Sequence, residues 1–298
     1  MTKRIAVLGA TGRVGHVVTD QLLAAGAQVR AIGRSAERLG PLAARGAEPC
    51  AGTATDPKFL APAFRHVDAA LVMVPTDPGH PDPAGLARAM ADAIAAALQV
   101  ARVQRVVSVS SIGAERPDRN GPIAGLHYLE NRVNAIPGIH AVHLRAGYFF
   151  ENWLPNVDLI RNAGINGGGL APDQPIMMIA SRDVGAVAAG ILAKPIFTGQ
   201  RSRELQGPKP YTPREVTSII GQAIGRPDLA YLQFSEPDVR AALLSAGFSP
   251  GLSEAYLEMI RGFNDGSIKS LEPRSAATTT PTTFEQFARE VIAPAFGR

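Results

Sequence analysis

Near the start of the chain, Gly9-Ala10-Thr11-Gly12-Arg13-Val14-Gly15 spaces three glycines at intervals of three. The series follows an apolar run, Ile5-Ala6-Val7-Leu8, and opens a segment with helical periodicity. At such a junction the first glycine permits a tight turn and the second lets backbone approach a ligand, while the third lets helix and strand pack closely. The unpaired amides of the helix start and the positive end of its dipole then face an anion. The chemistry predicted for Gly9, Thr11, Gly12, Arg13, Val14 and Gly15 is therefore retention of a dinucleotide diphosphate. At the end of the next apolar run, where an acid would bind a ribose 2′-hydroxyl, the chain reads Ile32-Gly33-Arg34-Ser35. Arg34, with Arg13, suits a 2′-phosphate, which favours NADP(H) and leaves NAD(H) open.

Other chemistry-bearing residues fall at the ends of later apolar runs. Val74 and Pro75 are expected beside the cofactor. Ser110 and Ser111 are placed to orient a substrate carbonyl, or else to serve a turn or a cap. Tyr148, Phe149 and Phe150 are candidate cofactor contacts, and Ser111, Tyr148, Phe150 and Trp153 candidate substrate contacts, although alternation along the backbone sends at least two of the four aromatics into the core. His140 and His143 differ by an odd number along a strand, point to opposite faces and cannot share an ion, so no metal is expected. Cys50 is the single cysteine; it reads as a small buried apolar residue, and a disulfide framework is excluded.

The elements that must carry these residues are legible as an alternation. Apolar runs at 4–8, 28–32, 69–74, 105–110 and 139–144 read as strands, and segments 16–25, 57–64, 84–101 and 127–135 as helices. That order predicts an α/β, Rossmann-type doubly wound parallel sheet, with ligands beyond the carboxyl ends of the strands. Residues 1–150 are assigned to an NAD(P)-binding Rossmann domain. Residues 151–298 form a smaller, mainly helical substrate or cap region, partly interleaved with the Rossmann core. Within it, Thr212 with Glu215 and Thr282 with Glu285 carry the spacing of capped helix starts.

Taken with its surroundings, the glycine loop resembles that of the NmrA-like family, the atypical short-chain dehydrogenase/reductases that bind NAD(P)(H). The likeness runs through Arg34, Ser108-Val109-Ser110-Ser111, His127-Tyr128-Leu129-Glu130, the segment Leu144-Arg145-Ala146-Gly147-Tyr148-Phe149-Phe150-Glu151-Asn152, Ile179 to Val184, and Thr280 to Glu285. Gly52-Thr53 stands where the family usually has Gly-Asp. The resemblance implies either an NAD(P)H-dependent oxidoreductase or a non-enzymatic NADP(H)-binding redox sensor that acts through a protein partner. Catalytic short-chain dehydrogenases pair a Tyr with a Lys four residues on; here Tyr128 meets Arg132, and no lysine occurs from Arg105 to Ala193. Tyr128 stays a candidate proton donor, but the missing lysine argues against ordinary alcohol–ketone chemistry and suits hydride transfer to a small planar acceptor such as a quinone.

Composition narrows the classes further. The 298 residues are 46% hydrophobic, enough for one large core. A net charge of +4, spread without a basic block, gives no nucleic-acid footprint. The first apolar run is too short for a signal peptide, and the later ones for a bilayer span, so a cytoplasmic protein is expected.

Overall fold

A computed structural model describes residues 2–297. Its centre is a sheet of seven parallel strands. The first half of the chain supplies β1 (Arg4–Leu8), α1 (Arg13–Ala24), β2 (Gln28–Gly33), α2 (Ala36–Ala44), β3 (Glu48–Ala51), α3 (Pro57–Ala63), β4 (Ala69–Val72), α4 (Pro83–Ala101), β5 (Arg105–Ser111), α5 (Ile123–Asn134) and β6 (His140–Ala146). Sheet order runs β3-β2-β1-β4-β5-β6, so the strand order reverses between β1 and β4. A crevice opens at that reversal, and ligands of open α/β sheets bind there.

Local chemistry sets the helix starts. Ser35 accepts the Arg38 amide, Asp56 the Lys58 amide and Asp82 the Gly85 amide, with Pro57 and Pro83 each in the first turn. Helix α4 is long and apolar enough, by length and composition, to cross a membrane. Its apolar face is spent on the core instead: Met90, Ile94 and Leu98 are buried in the layer beneath the sheet. Helix α5 begins a turn earlier than its periodicity suggests.

Beyond β6 the chain builds β7 (Tyr148–Phe149), a 3-10 turn, α6 (Asn156–Ala163), β8 (Asn166–Gly168) and β9 (Ile176–Ile179). It then returns to the main sheet. Helix α7 (Ser181–Ala193) packs on α1, and β10 (Gln200–Leu205) lies parallel to β6 as the seventh strand. The rest is β11 (Pro210–Tyr211), α8 (Pro213–Ala223), β12 (Tyr231–Gln233), α9 (Glu236–Ser245), α10 (Pro250–Asn264) and a C-terminal helical segment that opens with α11 (Phe284–Phe287). Thr212 and Glu215 form the expected capping box. The second cap falls one residue later than its spacing suggests: Thr283 accepts the Gln286 amide, while Thr282 is buried on Asp183.

Candidate active site

The glycine loop is drawn tight against the end of β2. Both Gly9 and Ala10 donate their amides to the Ile32 carbonyl, at 2.9 and 3.1 Å. Gly9 adopts φ +77°, and a Cβ there would lie 2.6 Å from Met73 Sδ. At Gly15 a Cβ would sit 2.1 Å from the Gly9 carbonyl oxygen, so helix and strand can touch only because none is present. No side chain caps α1 at Gly12, which leaves the first-turn amides without intrahelical partners. Gly12, Arg13 and Val14 line the crevice. A cradle that side chains would fill, rimmed by free amides at a helix start, fits a diphosphate. Arg34 is exposed at the end of β2 and lies 3.7 Å from Asp77, across the mouth of the crevice. Arg38 braces the loop from behind through the Thr11 carbonyl.

From that loop a cleft of about 970 Å³ runs along the strand ends to the cap. Val74, Pro75, Ser110, Ser111, Tyr128, Tyr148 and Phe149 all border it, so most of the sequence-derived candidates converge on one space. The cap side is closed by α10, through Tyr256, Met259 and Phe263. Sequence reasoning missed this wall. The signal was present as apolar residues 252, 256, 259 and 263, which fall on one face of a helix.

The polar candidates in the cleft that the sequence singled out are already engaged. Tyr128 donates its hydroxyl proton to Asp92 at 3.1 Å, and the same carboxylate takes the Arg132 guanidinium at 2.6 Å. Burial first, then the hydrogen bond to Asp92 and the charge of that carboxylate, pushes the Tyr128 hydroxyl above the usual tyrosine range. That direction is opposite to the one a lysine partner would impose. His127 directs Nδ1–H to the Ala114 carbonyl and accepts the Asn131 amide at Nε2, both at 2.8 Å. Buried Ser110 donates to Glu130 at 2.6 Å, and Arg145 grips that carboxylate with two nitrogens at 3.0 and 2.7 Å. Ser111 donates to the Ile112 carbonyl. Burial drives the Tyr148 hydroxyl far up, leaving a neutral aromatic wall.

Two expected contacts are corrected. Phe150 is fully buried among Tyr211, Phe284 and Phe287, and Trp153 packs against Tyr231 inside the cap. Neither borders the cleft. The chain turns into the 3-10 segment Phe150–Trp153 directly after β7, which carries both rings into the cap core while Tyr148 and Phe149 stay at the strand end. The motif around them is largely structural. The Glu151 carboxylate accepts the Ser181 amide at 3.1 Å and caps α7 from a distance, and Asp183 accepts the Thr282 amide and hydroxyl. The two histidines also have structural bonds: His143 with Ser108 and Asn134, His140 with the Gly199 amide. Among the described residues no group of His, Cys, Asp and Glu is arranged to hold a metal.

Comparison with known proteins agrees with this geometry. Residues 9–136 match the family described as NAD(P)H-binding. The chain is 33% identical over 271 residues to (4-alkanoyl-5-oxo-2,5-dihydrofuran-3-yl)methyl phosphate reductase of Streptomyces griseus, covering 90% of each chain. It is 28% identical to NAD(P)H azoreductase of Xenophilus azovorans, over 86% of this chain and 85% of that one. Its fold is similar to that of the NADPH-dependent quinone oxidoreductase of Escherichia coli solved with NADPH, with TM-score 0.81, 25% identity, and coverage of 97% and 99% of the two chains.

Proposed function

We propose, from the premise that the chain belongs to the NmrA-like family of NAD(P)H-binding, atypical short-chain dehydrogenase/reductases and is an NAD(P)H-dependent oxidoreductase, that it prefers NADPH and reduces a small planar acceptor such as a quinone. One observation carries the reading. A single cleft joins the free amides of the glycine loop to an aromatic wall, and Tyr128 and Ser110 give their hydroxyl protons to Asp92 and Glu130 rather than to the open space.

The bound nicotinamide would supply a hydride. Gly12, Arg13 and Val14 would hold the diphosphate through backbone amides, and Arg34 with Arg13 would take the 2′-phosphate by charge-assisted bonds. Val74 and Pro75 would bound the ribose side. Tyr148 and Phe149 would form a flat wall that orients an aromatic acceptor. Ser110 and Ser111 would stand at the acceptor's polar edge, where a hydroxyl can meet a quinone oxygen only by turning its proton away from Glu130 or the Ile112 carbonyl. Reduction of a quinone leaves a stabilised phenolate, which takes its proton from water; a ketone would leave a far more basic alkoxide and need an acid at hand. The hydrogen bonding of Tyr128 therefore suits the first acceptor class better than the second.

The experiment follows NADPH oxidation by the purified protein with benzoquinone and related acceptors. Acceptor-dependent turnover is expected, with NADPH favoured over NADH by about tenfold. Tight cofactor binding without turnover on any quinone would overturn the reading in favour of a sensor that acts through a protein partner.

A further inference from the structure

A second chamber of about 270 Å³ adjoins the cleft, and nothing in the reduction reading uses it. The two cavities share Ser111, Ala146 and Gly147 as floor and Tyr148 and Phe263 as walls, and those two rings meet edge to face at 5.6 Å. Gly147 is the one residue of the floor that tolerates no side chain, because a Cβ there would lie 2.6 Å from the Met177 carbonyl oxygen. The far wall is apolar at Ile176 and Ile268 and polar at its rim, where Gln174, Lys269 and Ser270 stand.

The rim is held in place and its charge is unspent. Buried Glu204 accepts the amides of Leu271 and Glu272 and the Ser270 hydroxyl, which anchors the segment that carries Lys269 to β10. Ile268, one residue earlier, donates its amide to the Gly262 carbonyl at 2.8 Å. The neighbouring acids have donors of their own: Asp173 has Arg214, Asp265 has the Ser267 amide, and Glu272 has the Glu204 amide. Lys269 forms no ion pair among the described residues, and the Gln174 carboxamide has no hydrogen-bond partner there. A free ammonium and a free amide donor at the rim of an otherwise apolar chamber suit an anionic group at the end of a short chain.

We infer that the chamber is an arm subsite: the acceptor is a planar ring carrying a short chain that ends in a carboxylate or phosphate, seated past Tyr148 and Phe263 and met by Lys269 and Gln174. The inference rests on the reading that the main cleft takes the acceptor's ring. It specifies a substrate class for that site.

The test uses three probes built on 2-methyl-1,4-naphthoquinone, with a propyl chain ending in carboxylate, in phosphate monoester or in neutral amide. Each is titrated into the full chain by calorimetry, loaded with NADP+ and without it, so the result does not depend on turnover. A rim charge of this kind predicts that at least one anionic probe binds about fivefold or more tightly than the amide. Lys269→Ala should abolish that ratio and Lys269→Glu should invert it, with the larger of the two anionic effects identifying the terminus. Equal binding of anionic and neutral probes, or a ratio that survives Lys269→Glu, would overturn the inference. Failure of every quinone to turn over while the ratio persists would instead count against the reduction reading alone.

Discussion

The close approach at Gly15 makes a quantitative prediction. Adding one methyl group, Gly15→Ala, places a Cβ 2.1 Å from the Gly9 carbonyl oxygen, about an ångström inside any real contact. Both sides of this clash are backbone, so no side chain can swing away. The start of α1 must back off from the end of β1, and overpacking of that kind costs about 1–3 kcal/mol of stability. The same displacement moves the amides of Arg13 and Val14 away from the phosphates they would meet, and each charge-assisted bond lost is worth roughly 1.5–3 kcal/mol. NADPH affinity should therefore fall by about ten- to a hundredfold while the protein stays folded. Calorimetric titration gives the affinity, and thermal unfolding of the free protein supplies the control. If the Gly15→Ala protein bound NADPH within twofold of the parent, the assignment of the diphosphate to this loop would be refuted.

Three further outcomes follow from named contacts. Arg34→Glu reverses an exposed charge paired only loosely with Asp77, so NADPH affinity should drop by about tenfold and NADH affinity by much less, as read from paired titrations; an equal loss for both would exclude a 2′-phosphate role. Tyr128→Phe should keep kcat on quinones within about threefold and leave its pH profile flat up to the usual tyrosine range, whereas a loss of a hundredfold would identify Tyr128 as the proton donor. His143 is buried, and burial, opposed by the Glu130 charge and aided by Arg145, holds its imidazole below the ordinary value of 6.5. The unfolded chain then binds the extra proton, so the stability tied to His143 is complete above pH 6.5 and is lost as pH falls below it. Urea unfolding between pH 7 and 5.5 should show that slope, and His143→Gln should flatten it.

What the sequence made legible was local. The turn, the first helix and the strands around them are specified within a few residues, and β1 begins and ends where the apolar run does. The tight turn at Gly9–Gly15 could be read because glycine spacing and backbone geometry are the same statement. Long-range pairing was hidden. Gln-Arg-Ser-Arg-Glu-Leu, the sequence of β10, is polar at five of six positions, and it is a strand because β6 offers an open edge and the 270–280 segment covers Glu204. The four aromatics after β6 were ambiguous because their sorting is decided by partners over a hundred residues away: Phe263 beside Tyr148, Phe284 beside Phe150. The cap wall from α10 was missed for the same reason, since an amphipathic stripe says that a face is covered and not by what.

Strand β10 has a topological consequence. The polypeptide leaves the sheet after β6, forms part of the cap, re-enters the sheet through α7 and β10, and crosses once more where the Gln206 amide meets the Thr278 carbonyl and the Thr280 amide meets the Gln206 carbonyl. Cap and nucleotide-binding layer are thus sewn together by several separate threads. Any relative movement of the two layers therefore has to bend all of these crossings together. Cutting the chain at residue 150 would strip the outer edge of β6 bare, leaving a fragment primed to pair with other copies of itself.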